Sequence, residues 1–123
     1  MRKATIALIT ALTLLNSSGI AADGKKKPIT LINAFMVPDG KEAEAIAYWE
    51  KAAEFMRTQP GYVSTALHEA VLPDAKFHLI NVAKWETAEA FLKASKAFRT
   101  SGGIKPVKGV VPNPSLYTVI RSD

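Results

Sequence analysis

The chain has 123 residues, within the size of one ordinary domain, and a net charge of +5 from 16 basic and 11 acidic side chains. It has no cysteine, which excludes disulfides, thiol nucleophiles and thiolate metal sites. The basic residues concentrate at 25–27 and at Lys105 with Lys108, without interleaved aromatic residues, and this argues against a nucleic-acid surface.

Residues 1–21 are predicted to be a signal peptide. Arg2 and Lys3 precede an apolar run from Ala4 to Leu15, which is too short to span a ~30 Å hydrocarbon core comfortably. Small and polar residues then lead to a cleavage site after Ala21. An uncleaved anchor is the alternative. We expect a periplasmic or secreted protein with no membrane segment after cleavage, a basic disordered tail at 22–28 and one domain at 29–123.

The first half of that domain is predicted to be a strand followed by a helix. Thr30 to Val37 is rich in β-formers and alternates between two faces. Pro38-Asp39-Gly40 breaks the strand, and Asp39 is placed to cap a helix from Lys41 to Thr58. Pro60-Gly61 then ends that helix.

The second half is predicted to add a hairpin, a helix and a last strand. Strands at Tyr62–Val71 and Phe77–Glu86 flank a Pro-Asp turn, and symmetric pairing places Leu67 opposite Asn81 and Trp85 opposite Val63. A helix follows at 87–98, with its apolar face formed by Ala88, Phe91, Leu92 and Phe98, and a strand at 115–121 ends the domain. The order βαββαβ is typical of a ferredoxin-like α+β fold.

The residues around these elements resemble the antibiotic biosynthesis monooxygenase family of small α+β barrel proteins. The resemblance runs from about Ile29 to Phe98 and includes Pro60-Gly61-Tyr62 and the strand-ending Trp85-Glu86-Thr87. It implies a homodimer that pairs sheet to sheet and forms a dimeric α/β barrel. The sequence agrees, because the face away from the helices is also apolar, with Ile32, Ala34, Met36, Ile80 and Val82.

Cross-strand pairing puts Phe77, Leu79, Asn81, Ala83 and Trp85 on one side of the sheet. The resemblance implies that Asn33 and Phe35 face the same side, beneath the helices, in a chamber suited to a small aromatic ligand. We take Asn33 and Trp85 as candidate catalytic residues. The candidate substrate-binding residues are Phe35, Tyr48, Phe55, Leu79, Asn81 and Phe91. An ordinary core tryptophan and a structural asparagine are the alternatives for Trp85 and Asn33.

The resemblance also bears on chemistry. Haem-degrading relatives use an asparagine on the first strand, a tryptophan ending the third, and an iron-ligating histidine on the second helix, but residues 87–98 contain no histidine. Quinone-forming relatives need neither metal nor cofactor, because the anion of their phenolic substrate reacts with oxygen directly. The resemblance therefore implies a cofactor-independent monooxygenase or oxidase for a small aromatic or quinol-like substrate. The alternative is a non-catalytic homodimeric module that binds a small ligand.

Two further features have open interpretations. His68 and His78 fall on the hairpin strands, on the face assigned to the dimer. No carboxylate obviously completes a metal site with them, so we predict no metal and polar interface residues instead. The segment from Ser101 to Pro114 is predicted to be a long loop, either a lid that places Lys105 and Lys108 at the chamber mouth or a surface connection.

Overall fold

The computed structural model describes residues 27–123, so the predicted signal peptide and all but the last two residues of the predicted tail lie outside the described part of the chain. The elements are β1 (Ile29–Met36), α1 (Glu42–Arg57), β2 (Tyr62–Glu69), β3 (Leu79–Trp85), α2 (Ala88–Ser101) and β4 (Val111–Tyr117). The four strands form one antiparallel sheet in the order β2-β3-β1-β4.

Both helices pack on one face of this sheet, where side chains of β1, β3 and α2 form the core. The predicted ferredoxin-like α+β fold is confirmed, with an open sheet in the single chain. Closure of a barrel between two chains stays a prediction. Within residues 27–123, no helix combines the length and the hydropathy that crossing a membrane requires.

A tight turn connects β1 to α1. The amide of Lys41 donates to the carbonyl of Pro38 at 3.0 Å, and Gly40 has a φ of 83°. Glycine adopts this left-handed conformation without steric cost at the third position of a turn. The N-cap of α1 is Lys41, with no side-chain capping bond. The prediction that Asp39 caps the helix is wrong, because the turn places Asp39 two residues before the capping position.

The β2–β3 hairpin has the predicted register over most of its length, including Leu67 opposite Asn81. The register shifts between Tyr62 and Ser64, so that Trp85 pairs with Tyr62 rather than with Val63. A bulge of this kind sets two residues opposite one and bends the strand. It brings the rings of Tyr62 and Trp85 edge to face, with centroids 5.6 Å apart.

Helix α2 begins close to the predicted position and continues beyond the predicted end at Phe98. The hydroxyl of Thr87 caps it by accepting the amide of Ala90 at 3.0 Å. The helix lies so close to Gly61 that a Cβ there would stand 2.5 Å from the Cβ of Ala90. Leu92, expected on the apolar face, is 58 % exposed, whereas Ala94 is buried.

Strand β4 begins four residues before its predicted start at Ser115 and includes Pro112 and Pro114. Prolines are tolerated there because β4 is an edge strand, where an amide that faces away from the neighbouring strand is dispensable. Asn113 stands between the two prolines, and its side-chain nitrogen donates to the carbonyl of Ala34 at 3.0 Å. This bond helps to hold the edge strand to β1.

The sheet face opposite the helices, here called the outer face, is uncovered in the single chain. It carries the alternate residues of the strands, including Ile32 and Met36 of β1 and Val111 and Tyr117 of β4. These four side chains are between 36 and 50 % exposed. Half-exposed apolar side chains grouped on one sheet face are typical of an interaction surface.

Candidate functional site

A cavity of about 330 Å³ lies between the inner face of the sheet and the two helices. This is at the low end of roughly 300–1,000 Å³, the range typical of small-molecule sites. Aromatic rings make up much of its wall, namely Phe35, Tyr48, Trp49, Tyr62, Trp85, Phe91 and Phe98. A flat apolar molecule is therefore the kind of ligand that the cavity accommodates.

The structure brings together seven of the eight candidate residues as cavity lining: Asn33, Phe35, Tyr48, Leu79, Asn81, Trp85 and Phe91. Phe55 is not among the lining residues. Its ring packs on Phe98, with centroids 5.4 Å apart, so it supports the wall from behind. The catalytic and binding roles of these residues stay predictions.

Two asparagine side chains stand next to each other on the inner face. Asn33 and Asn81 are direct cross-strand partners, a relation that places Cβ atoms about 4.5–5.5 Å apart. Asn81 is only 8 % exposed, and its Oδ1 accepts the hydroxyl of Thr65 at 2.6 Å. The Oδ1 of Asn33 accepts the backbone amide of Asn113 at 3.0 Å. A donor from the protein therefore occupies each amide oxygen.

These bonds decide what the two asparagines offer to a ligand. Each oxygen accepts one bond and keeps a second lone pair, and each NH₂ group carries two donor hydrogens. Within residues 27–123 neither NH₂ group has an acceptor, and no side-chain nitrogen or oxygen that is sealed from solvent lacks a partner. The paired NH₂ groups are thus available to an oxygen atom of a molecule in the cavity.

Trp85 forms one end of the cavity and also belongs to the core. It is 1 % exposed, and its ring meets those of Tyr62 and Phe91 edge to face, each at a centroid distance of 5.6 Å. Aromatic pairs prefer this geometry. Trp85 is therefore packed as a core tryptophan. It also lines the cavity, so the same side chain can contact a ligand.

Tyr48 lies on α1 with its ring against Phe98, at a centroid distance of 6.4 Å. Burial raises the pKa of its hydroxyl above the usual value for tyrosine. A neutral phenol is a hydrogen-bond donor, and Tyr48 is part of the cavity lining.

Sequence reasoning missed several lining residues. Thr65 pairs with Ala83 and faces the cavity. Strand alternation predicts this, because Thr65 lies two residues before Leu67, which is the partner of Asn81. Arg99 was not predicted to line the cavity, because α2 was predicted to end at Phe98, one residue before it. Three residues of the connection between α2 and β4 also line the cavity, namely Pro106, Val107 and Val110.

The connection after α2 is held against the turn that precedes α1. Gly109 has a φ of 87°, and a Cβ there would lie 2.8 Å from the Cγ of Pro38. The segment thus covers part of the cavity, as the lid interpretation requires. Lys105 and Lys108 are exposed and are not part of the lining.

The two histidines lie on the hairpin, away from the cavity lining. His68 pairs with Ile80 on the outer face, and the Nε2 of His78 is 3.1 Å from a carboxylate oxygen of Glu69. In the described range, no three side chains among histidines, cysteines and acidic residues converge as a set of metal ligands.

Comparison with known proteins identifies similar chains. The sequence profile described as "Antibiotic biosynthesis monooxygenase" matches residues 28–99. A candidate monooxygenase from Shewanella loihica PV-4, known from its crystal structure, is 45 % identical, with 78 % of this chain and 97 % of that chain covered and a TM-score of 0.72. No curated protein sequence matches the chain.

Two more distant crystal structures share the fold. SnoaB, a cofactor-independent oxygenase from Streptomyces nogalater, is 24 % identical, with 78 % of this chain and 96 % of that chain covered and a TM-score of 0.58. MhuD, a heme-degrader from Mycobacterium tuberculosis, is 21 % identical, with 77 % and 98 % covered and a TM-score of 0.61. At these identities the likeness extends to the fold alone.

The hydroxyl of Thr65 is expected to stabilise the protein through Asn81. Thr65→Val keeps the shape of the side chain but leaves the buried Oδ1 of Asn81 without its donor, so the free energy of unfolding should fall by about 1–3 kcal/mol. Thr65→Ser, which retains the hydroxyl, should lose clearly less. Urea unfolding of the three proteins measures the difference, and equal stability of Thr65→Val and the parent would contradict the assignment.

Proposed function

We propose that this chain, which belongs to the antibiotic biosynthesis monooxygenase family, is a cofactor-independent monooxygenase for a small aromatic hydroxyl compound or quinol. Family membership supports a general monooxygenase role. The observation that carries the narrower proposal is the pair of amide NH₂ groups of Asn33 and Asn81, set side by side in an aromatic cavity.

The amide pair suits the oxygen of a deprotonated aromatic hydroxyl. Donors to a charged oxygen favour its anionic form, so the NH₂ groups of Asn33 and Asn81 lower the pKa of a hydroxyl bound between them. Fixed donors in an apolar site stabilise a developing charge more than water does, because the local dielectric constant is low. The cavity is therefore suited to hold the electron-rich anion of the substrate.

That anion supplies the electrons for the reaction with oxygen. One atom of O₂ adds to a ring carbon and the other leaves as water, while the phenol becomes a quinone. A quinol instead gives its quinone, with O₂ reduced to hydrogen peroxide. Neither reaction requires an external reductant. The protein's part is to bind and orient the anion and to keep bulk water away from it.

The lining of the cavity also bears on the haem alternative. The lining residues that belong to α2 are Phe91, Ser95, Phe98 and Arg99. No histidine lines the cavity in the described part of the chain. The histidine through which haem-degrading relatives hold iron therefore has no counterpart among these residues. This supports an aromatic hydroxyl substrate over haem.

One observation favours a second function. Among residues 27–123, no carboxylate and no histidine lines the cavity, so a general base in the usual pKa range is not at hand. A homodimeric module that binds a small apolar ligand without converting it needs no such base. Oxygen uptake distinguishes this module from the monooxygenase.

We also propose that the mature protein is a homodimer in the periplasm or outside the cell. The half-exposed apolar side chains of the outer face support the dimer, because burying them against a second copy removes them from water. The positive and then apolar character of residues 1–21 supports export.

The amide pair is tested by Asn33→Asp. An aspartate keeps an oxygen to accept the amide of Asn113, but it removes the NH₂ group and adds a negative charge that repels an anion. With a panel of phenols, naphthols and quinols, corrected for spontaneous oxidation, we expect oxygen uptake to show a kcat/KM about a hundredfold below the parent value. The free energy of unfolding should change by only about 1 kcal/mol.

Asn113→Ala is the matched control. It removes the side-chain bonds to the carbonyls of Ala34 and Val111 but leaves the backbone amide that Asn33 accepts. Its kcat/KM should stay near the parent value. Parental turnover by Asn33→Asp would exclude the amide pair as the site. Tight binding without oxygen uptake by the unsubstituted protein would favour the binding module.

The dimer is tested at Val82, which lies on the outer face opposite Ile32 and Ala66. Val82→Lys places a charge in the proposed interface, where burial without a partner is costly. Sedimentation at micromolar concentration should show a dimer for the mature protein and a monomer or unfolded chain for Val82→Lys. Ala47→Lys, on the exposed surface of α1, should remain a dimer. A stable folded monomer of the unsubstituted protein would overturn the proposal.

A further inference from the structure

Arg99 is an exposed charged side chain that borders the cavity. Among the described lining residues it alone carries a charge, since the others are apolar, aromatic, amide or hydroxyl side chains. The ion pairs found in residues 27–123 involve other side chains. A guanidinium that borders an apolar cavity and has no carboxylate of its own there is suited to an anion that a ligand brings.

Arg99 lines the same cavity as the amide pair but from a different element, the helix α2. The helix returns over the sheet from the end of β3, and Phe91 near its start contacts Trp85. Arg99 lies about 12 Å further along the helix, at 1.5 Å per residue. Asn81 lies about 13 Å back along β3 from Trp85, at 3.3 Å per residue. Arg99 and Asn81 are thus separated from the contact between Phe91 and Trp85 by similar lengths of chain, and they line one cavity from the helix and from the sheet.

We propose that Arg99 binds an anionic substituent of the substrate, which makes the substrate class aromatic hydroxyl compounds that also carry a carboxylate. The hydroxyl oxygen lies on the NH₂ groups of Asn33 and Asn81, and the carboxylate lies on the guanidinium. The rings between them contact the aromatic walls. This inference rests on the proposed function, because it assigns the hydroxyl to the amide pair.

A helix-end effect is the competing account of Arg99. The residue lies in the last turn of α2, where any cation interacts favourably with the helix dipole. Arg57 also lies in the last turn of its helix, α1, and is not part of the cavity lining. The two arginines thus share a local setting and differ in their access to the cavity, which makes Arg57 a matched control.

The test compares two probes that differ by one carboxylate, 2-naphthol and 6-hydroxy-2-naphthoate. Binding to the mature protein is followed without oxygen by tryptophan fluorescence, since Trp49 and Trp85 both line the cavity. We expect the carboxylate probe to bind about tenfold more tightly than 2-naphthol. Arg99→Gln should abolish this preference while keeping the parental Kd for 2-naphthol, and Arg99→Lys should keep part of it.

The control and the outcomes separate this inference from the proposed function. Arg57→Gln should keep the full preference, and an equal loss in both glutamine variants would overturn the role of Arg99 in favour of a general charge effect. Equal Kd values for the two probes, both raised by Asn33→Asp, would overturn the inference and leave the proposed function standing. No binding of either probe would overturn both.

Discussion

The pairing of β1 with β3 in one register is the constraint on which the site depends. This register sets Asn33 opposite Asn81 on the inner face of the sheet. A slip of one residue would turn every side chain of β1 to the other face, so Asn33 would leave the cavity and Ile32 would enter it. Leu31 and Leu79, both buried on the inner face, oppose such a slip because it would expose apolar area.

The buried amide of Asn81 and the half-buried amide of Asn33 are tolerated on the inner face because the two edge strands, β2 and β4, supply donors to them. Thr65 of β2 donates to Asn81, and the backbone amide of Asn113 of β4 donates to Asn33. A line of polar groups thus crosses all four strands beneath an aromatic cavity. The bonds to the two oxygens fix the orientation of the amides, and each NH₂ group remains a donor that a ligand can meet. Asn33 therefore has a structural bond to β4 as well as its place in the proposed site.

The sequence predicted the element order, most of the hairpin register and seven of the cavity-lining residues, because apolar periodicity and turn residues are local signals. It failed where distant contacts decide. No residue type at Val63 signals the bulge that pairs Trp85 with Tyr62. Pro112 and Pro114 indicated a loop, but they lie in an edge strand, where prolines are tolerated. Thr65 was missed although strand alternation from Leu67 places it on the inner face. Arg99 lies beyond the predicted end of α2, and its place in the lining depends on how that helix packs on the sheet.

The central claim is that the NH₂ groups of Asn33 and Asn81 bind the oxygen of an aromatic hydroxyl ligand. Side-chain amide resonances of ¹⁵N-labelled protein, followed by NMR during an oxygen-free titration with 2-naphthol, test it most directly. We expect the NH₂ resonances of Asn33 and Asn81 to shift together with one Kd, while those of Asn113 stay in place. Saturable binding that leaves the resonances of both Asn33 and Asn81 unmoved would contradict it.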